Sequence, residues 1–185
     1  VAVVNAFNLI DGHDGLAGGV FLVSILAVLL LLLGSGEAKL LYLGFVLLST
    51  TSVFLFFNLG VYPGKKYKVF LGDAGSTLMG LILGYLVIGL TVASSDRLIS
   101  PTIVPWVIGL PILDMVAVFC MRLSQGASVT LPDRQHIHHQ LLDRGWPKAK
   151  VLTVLLGLHT VLSCVGVVGQ KMAIPDAWLF WGFLT

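Results

Sequence analysis

An all-α bundle of membrane-spanning helices is the fold this sequence predicts, on three observations. Hydrophobic residues make up 57% of the 185 and charged residues only 11%, against about 25% charged in soluble domains. The mean hydropathy is +0.97. The apolar residues fall into segments near the roughly 20 residues that a helix needs to cross a hydrocarbon core about 30 Å thick, and the polar connections between them alternate between short and long.

Taken in order, hydropathy and helix breakers predict spans at 16–33, 39–57, 75–93, 101–121 and 149–169, with a cut-short sixth at 176–185. This is a polytopic bundle of about five full spans plus a truncated sixth. Residues 1–8 read as the end of an earlier helix. Pro101, Pro105 and Pro111 predict a kink in the fourth span, tolerable in a membrane where neighbours satisfy the freed carbonyls. Cys120 and Cys164 lie inside apolar spans without metal or redox spacing, so they read as small buried hydrophobes. No internal repeat, low-complexity tract or linker divides residues 1–185, which read as one transmembrane domain.

Each crossing changes sides, so residues 1–15, 58–74 and 122–148 share one face. With its flanks that face holds Lys65, Lys66, Lys68, Arg122, Arg134, Arg144, Lys148 and Lys150, against Lys39, Arg97 and Lys171 opposite. The excess of positive charge predicts that it is cytoplasmic. The net charge of +2 is too small to argue for nucleic acid as a partner.

Nearly all the unusual polar residues fall on that face. "NAFNLIDGHDGLAGG" brings Asn5, Asn8 and Asp11 onto one stripe if helical, with Asp14 just beyond. Asp11 and Asp14 are either a functional carboxylate pair or the solvated cap of a helix start. "VFLGDAGST" sets Asp73 between glycines before the third span, where it is either a cap or part of a phosphate and metal site. "PDRQHIHHQ" offers Arg134, His136, His138 and His139. Without cysteine and without the spacing of a closed tetrahedral set, zinc is disfavoured, and donation to phosphate or nucleotide competes with a solvated basic loop. Asp114, within a predicted span, is a functional candidate by its location, with a supporting hydrogen bond as the alternative. His159 reads as a packed histidine.

Together "NAFNLIDGHDGLAGG", "VFLGDAGS" and "DRQHIHHQLL", in this order and separated by spans, strongly resemble the polyprenyl-phosphate N-acetylhexosamine-1-phosphate transferases of glycosyltransferase family 4, nearest the bacterial undecaprenyl-phosphate N-acetylglucosamine-1-phosphate branch. The resemblance runs over essentially the whole chain. It implies a multi-pass transferase domain of the bacterial cytoplasmic (inner) membrane with its site facing the cytoplasm. A UDP-N-acetylhexosamine, by resemblance UDP-GlcNAc, would pass its sugar phosphate to undecaprenyl phosphate with release of UMP. Mg2+ or Mn2+ is the implied cofactor, and a homodimer an open alternative to a single copy.

Carried over by motif, Asp11, Asp14 and Asp73 are the implied catalytic residues, with Asp73 and Asp11 as metal ligands. Asn5, Asn8, Arg134, His136, His138 and His139 are the implied substrate contacts, and Phe70 is placed to stack on uracil. Two departures stand out. The family's upstream "DDxxD" motif does not occur in these residues, so the expectation is the C-terminal part of a longer domain, lacking its N-terminal helices. His13 occupies the usually apolar middle of "DGHDG". The competing readings are a metal- or proton-coupled transporter and an inactive paralogue or fragment acting as an assembly partner.

Overall fold

The computed structural model describes residues 1–61, 67–92, 98–126 and 135–185. In chain order its helices are α1 (Ala2–Ile10), α2 (Leu16–Leu32), α3 (Ala38–Asn58), α4 (Gly72–Val92), α5 (Val104–Val107), α6 (Gly109–Ser124), α7 (Ile137–Asp143), α8 (Lys148–Lys171) and α9 (Asp176–Leu184). A 3₁₀ turn, Pro101–Ile103, leads into α5, and no strand occurs among the described residues. The all-α expectation holds.

Among the described residues three helices, α3, α4 and α8, are long and apolar enough to cross a membrane. The expected span at 101–121 is not one straight helix. It breaks into two limbs, Pro101–Val107 and Gly109–Ser124, bent by 82°. Pro111 explains the break, because it has no N–H to give the carbonyl of Val107 four residues earlier. That carbonyl is satisfied from α2 instead: Ser24 Oγ donates to Val107 O at 2.8 Å. With its proton so committed, Ser24 Oγ accepts from Nε2 of the fully buried His159 at 3.0 Å.

Helix α2 has 17 residues, roughly 25 Å at about 1.5 Å per residue. It is apolar on every side and buried along most of its length, as an interior helix must be. It packs between α3 and α8 and against α4. Phe21 of α2 meets Phe7 of α1 edge to face at 6.3 Å. Helix α1 lies close on α4 because Gly80 has no side chain, and a Cβ there would stand 2.7 Å from Val4 Cα.

The connections gather at two opposite ends. At one, the side chain of Asn58, the last residue of α3, accepts from Gly15 N–H at 2.7 Å and donates to Val69 O at 2.9 Å. At the other, Asp176 accepts from Ser100 Oγ and Thr102 Oγ1 at 2.7 and 2.9 Å, and Lys171 reaches Leu33 O at 3.1 Å. All three sequence motifs start or finish at the Asn58 end.

Candidate active site

A cleft of about 380 Å³ opens at the Asn58 end, with Asp11, His13, Asp14, Phe70 and Asp73 in its wall. Helix α1 delivers the first of these. It ends at Ile10, and Asp11 is its C-terminal cap residue, with its N–H bonded to Asn8 O at 3.3 Å. A carboxylate gains nothing from the negative end of a helix dipole, so capping does not explain its position. Nor does Asp14 cap α2: the cap residue there is Gly15, and the side chain that its N–H finds is Asn58. The two aspartates are thus free for another use.

Asp73 arrives from the first turn of α4, the favourable end for a carboxylate. Asn8 joins the two helices, with its side-chain amide 3.4 Å from Asp73 Oδ1 and 3.2 Å from Ser76 Oγ. Close α1–α4 packing therefore sets Asp73 beside Asp11. The consequence is electrostatic. Partial burial, followed by the negative charges of Asp73 and Asp14, pushes the Asp11 carboxyl up to about 6.

Asp14 differs from its neighbour because it has a counter-ion, accepting from Lys68 Nζ. The same ammonium lies 5.2 Å from the centre of the Phe70 ring, which is 76% exposed and thus open to a planar ligand. Among the described residues, Asp11 and Asp73 have no such basic partner.

Does this donor set suit the implied metal? Mg2+ is usually held by one or two carboxylates with water and substrate phosphates completing its shell. Asp11 and Asp73 provide two carboxylates in one cleft, neither with a salt-bridge partner among the described residues. Among the described residues no group of three or more His, Cys, Asp or Glu side chains forms a closed metal cage. The fit is therefore to a cation shared with a phosphate ligand, with Mn2+ equally suited to oxygen donors.

The histidine motif is positioned differently. His136 is 4% exposed, and its Nδ1 lies 2.8 Å from Oδ2 of Asp114, itself 6% exposed. The other Asp114 oxygen accepts from Ile137 N–H, the first of α7, at 2.8 Å. His138 is fully buried and lies against His139, the rings tilted by 41° with centres 4.2 Å apart. Burial, reinforced by His139, pushes His138 down to about 4, so it is neutral at physiological pH. It presses on the Asp11–Asp14 loop from behind: a Cβ on Gly12 would stand 2.4 Å from His138 Nε2.

The structure thus brings Asp11, Asp14, Asp73 and Phe70 to one cleft, with Asn8 bonded to Asp73. His136, His138 and His139 are not in the cleft wall, and Asn5 is exposed on α1 one turn before Asn8. Arg134 lies outside the described residues. Sequence reasoning gave no site role to Lys68 or Lys148 and left that of Asn58 open, and all three border the site. Two signals point to them: Asn58 is the polar residue closing an apolar span, and Lys68 precedes "VFLGDAGS" directly.

Residues 1–91 match the family model described as Glycosyl transferase family 4. Over 178 residues the chain is 36% identical to the undecaprenyl-phosphate alpha-N-acetylglucosaminyl 1-phosphate transferase of Yersinia pestis and 35% identical to that of Escherichia coli K12, covering 96% of this chain and 48% of each relative. The Haemophilus influenzae protein of the same name is 34% identical over 166 residues, 90% of this chain and 46% of the relative. The chain spans about half the length of the curated relatives it matches.

Proposed function

We propose that the chain, which matches the glycosyl transferase family 4 model over residues 1–91 and is 35–36% identical to two transferases over 178 residues, carries the catalytic cleft of a UDP-GlcNAc:undecaprenyl-phosphate GlcNAc-1-phosphate transferase. The supporting observation is the convergence of Asp11, Asp14 and Asp73 on one cleft beside the exposed ring of Phe70. The site faces the cytoplasm of a bacterial inner membrane, where a soluble nucleotide sugar meets a lipid phosphate. The charge distribution in the sequence supports that orientation.

In the proposed reaction a phosphate oxygen of the lipid carrier attacks the β-phosphorus of the UDP-sugar. The bond from that phosphorus to the bridging oxygen breaks, and UMP leaves with the electron pair. Phosphoryl transfer of this kind depends on positioning and charge neutralisation more than on covalent participation by the protein. Asp11 and Asp73 would hold Mg2+ (or Mn2+), which supplies charge neutralisation at the phosphates when bound. Asn8 keeps the Asp73 carboxylate turned to the cleft. Lys68 compensates Asp14, limiting the negative charge that an incoming diphosphate meets, and Phe70 offers its face to uracil. Arg134 and His139 are proposed contacts to diphosphate or sugar; for His136 and His138 burial favours support of the site from behind.

The test is UMP release. Membranes containing the full-length protein, given UDP-GlcNAc, undecaprenyl phosphate and Mg2+, release UMP in step with lipid-linked GlcNAc. Substituting Asp73→Asn abolishes both products. Release that persists undiminished in Asp73→Asn contradicts the assignment.

A further inference from the structure

Asp114 is buried in α6 and absent from the cleft wall, yet both its carboxylate oxygens are engaged by the segment that backs the cleft. Oδ1 accepts from Ile137 N–H and Oδ2 pairs with His136 Nδ1, both at 2.8 Å. These contacts hold the start of α7, a helix of seven residues, far below the roughly 12–15 at which an isolated helix becomes even marginal. No side chain of α7's own cap residue, His136, bonds to its first turn; the carboxylate from α6 takes that role. From this anchor α7 carries His138 into full burial against Gly12, in the middle of the loop that bears Asp11 and Asp14.

We propose that Asp114 is a positioning residue for the site: through His136 and the first amide of α7 it holds His138 against Gly12, and so fixes the Asp11–Asp14 loop facing Asp73. This rests on the transferase reading for its functional consequence, but not for the mechanical link. The link has two ends that can be broken separately. Asp114→Ala removes the anchor. Gly12→Ala leaves the anchor intact and inserts a methyl group 2.4 Å from the present position of His138 Nε2.

The experiment is amide hydrogen exchange on the full-length protein in lipid nanodiscs, paired with UMP-release kinetics on the same protein. In Asp114→Ala the amides of residues 11–15 exchange about tenfold faster or more, as a locally loosened unit, while those of α3 are unchanged. Asp114→Asn, which keeps an oxygen acceptor for Ile137 N–H, stays within about threefold of the parent, as expected where a neutral hydrogen bond replaces a charge-assisted one. In kcat/KM, Asp114→Ala and Gly12→Ala together are no worse than the poorer single variant, because both cut one link. Ser24→Ala, remote from the cleft, controls for lost stability and leaves KM unchanged. Faster exchange confined to 136–143, or additive losses in the double variant, overturns the proposal. A parent protein that releases no UMP overturns the transferase reading alone, since the exchange result still decides whether Asp114 holds the loop.

Discussion

Lys68 Nζ donates to the carboxylate of Asp14, 54 residues earlier in the chain, whereas Asp11, three positions before Asp14, has no basic partner among the described residues. The pair quoted together in the sequence is thus electrically asymmetric. One carboxylate has a counter-ion in the protein, and the other has none among the described residues.

That asymmetry predicts unequal effects of substitution. Asp73→Asn and Asp11→Asn each lower kcat by about 10²–10³-fold or more, the scale on which removal of an electrostatic stabiliser acts, and both raise the Mg2+ concentration for half-maximal activity. Asp14→Asn lowers activity with a smaller change in the Mg2+ requirement. Initial rates of UMP release across a Mg2+ titration separate the three.

Lys68→Met releases the charge on Asp14 into the cleft. The partly solvated pair contributes about 1 kcal/mol to stability, so thermal unfolding moves little. Mg2+ binding tightens by about threefold, since a freed negative charge in a partly solvated cleft interacts on that scale, while UDP-GlcNAc binding without metal weakens. A Lys68→Met protein that loses Mg2+ affinity contradicts this assignment.

The pH dependence follows from Asp11, whose folded pKa is raised to about 6 from 3.8. Without metal, the folded state holds this proton over a range where the unfolded chain has lost it. The Asp11 contribution to stability is therefore present below about 4 and is lost as pH rises through about 6. A cation displaces the proton, so Mg2+ affinity runs the opposite way, rising from pH 5 to a plateau above about 7. Asp11→Asn flattens that rise. Mg2+ titrations at a series of pH values, followed by Trp fluorescence or calorimetry, read both slopes.

Ser24→Ala leaves the Val107 carbonyl unsatisfied at the break before α6 and removes the acceptor of His159 Nε2. Its cost is about 1 kcal/mol, the scale of interhelical hydrogen bonds in membranes, read as a lower midpoint of unfolding in mixed detergent micelles. The KM for UDP-GlcNAc does not change.

Much of this was legible in the sequence because membranes impose simple rules. Apolar length marked the helices, and alternation of sides brought "NAFNLIDGHDG" and "VFLGDAGS" to one end before any contact was known. Motif resemblance then gave Asp11, Asp14 and Asp73 their expected roles. Hydropathy could not resolve the break at Ile108, since the two limbs together are apolar enough for one span; Pro111 signalled a kink, but not that Ser24 of another helix takes the freed Val107 carbonyl. The histidines were harder still. "HIHH" reads as four positions on a polar loop, whereas α7 buries His136 on Asp114 and His138 on Gly12, partners 22 and more than a hundred residues away. No local pattern encodes such pairings.

The roles proposed for Asp11, Asp73 and Phe70 meet in one measurement, calorimetric titration of UDP-GlcNAc into the full-length protein with and without Mg2+. Binding strengthens at least tenfold with Mg2+, about 1.4 kcal/mol, and that gain disappears when Asp11 and Asp73 are both changed to Asn. Equal affinity with and without Mg2+, or a gain that survives the double substitution, rules out a shared metal and nucleotide site in this cleft.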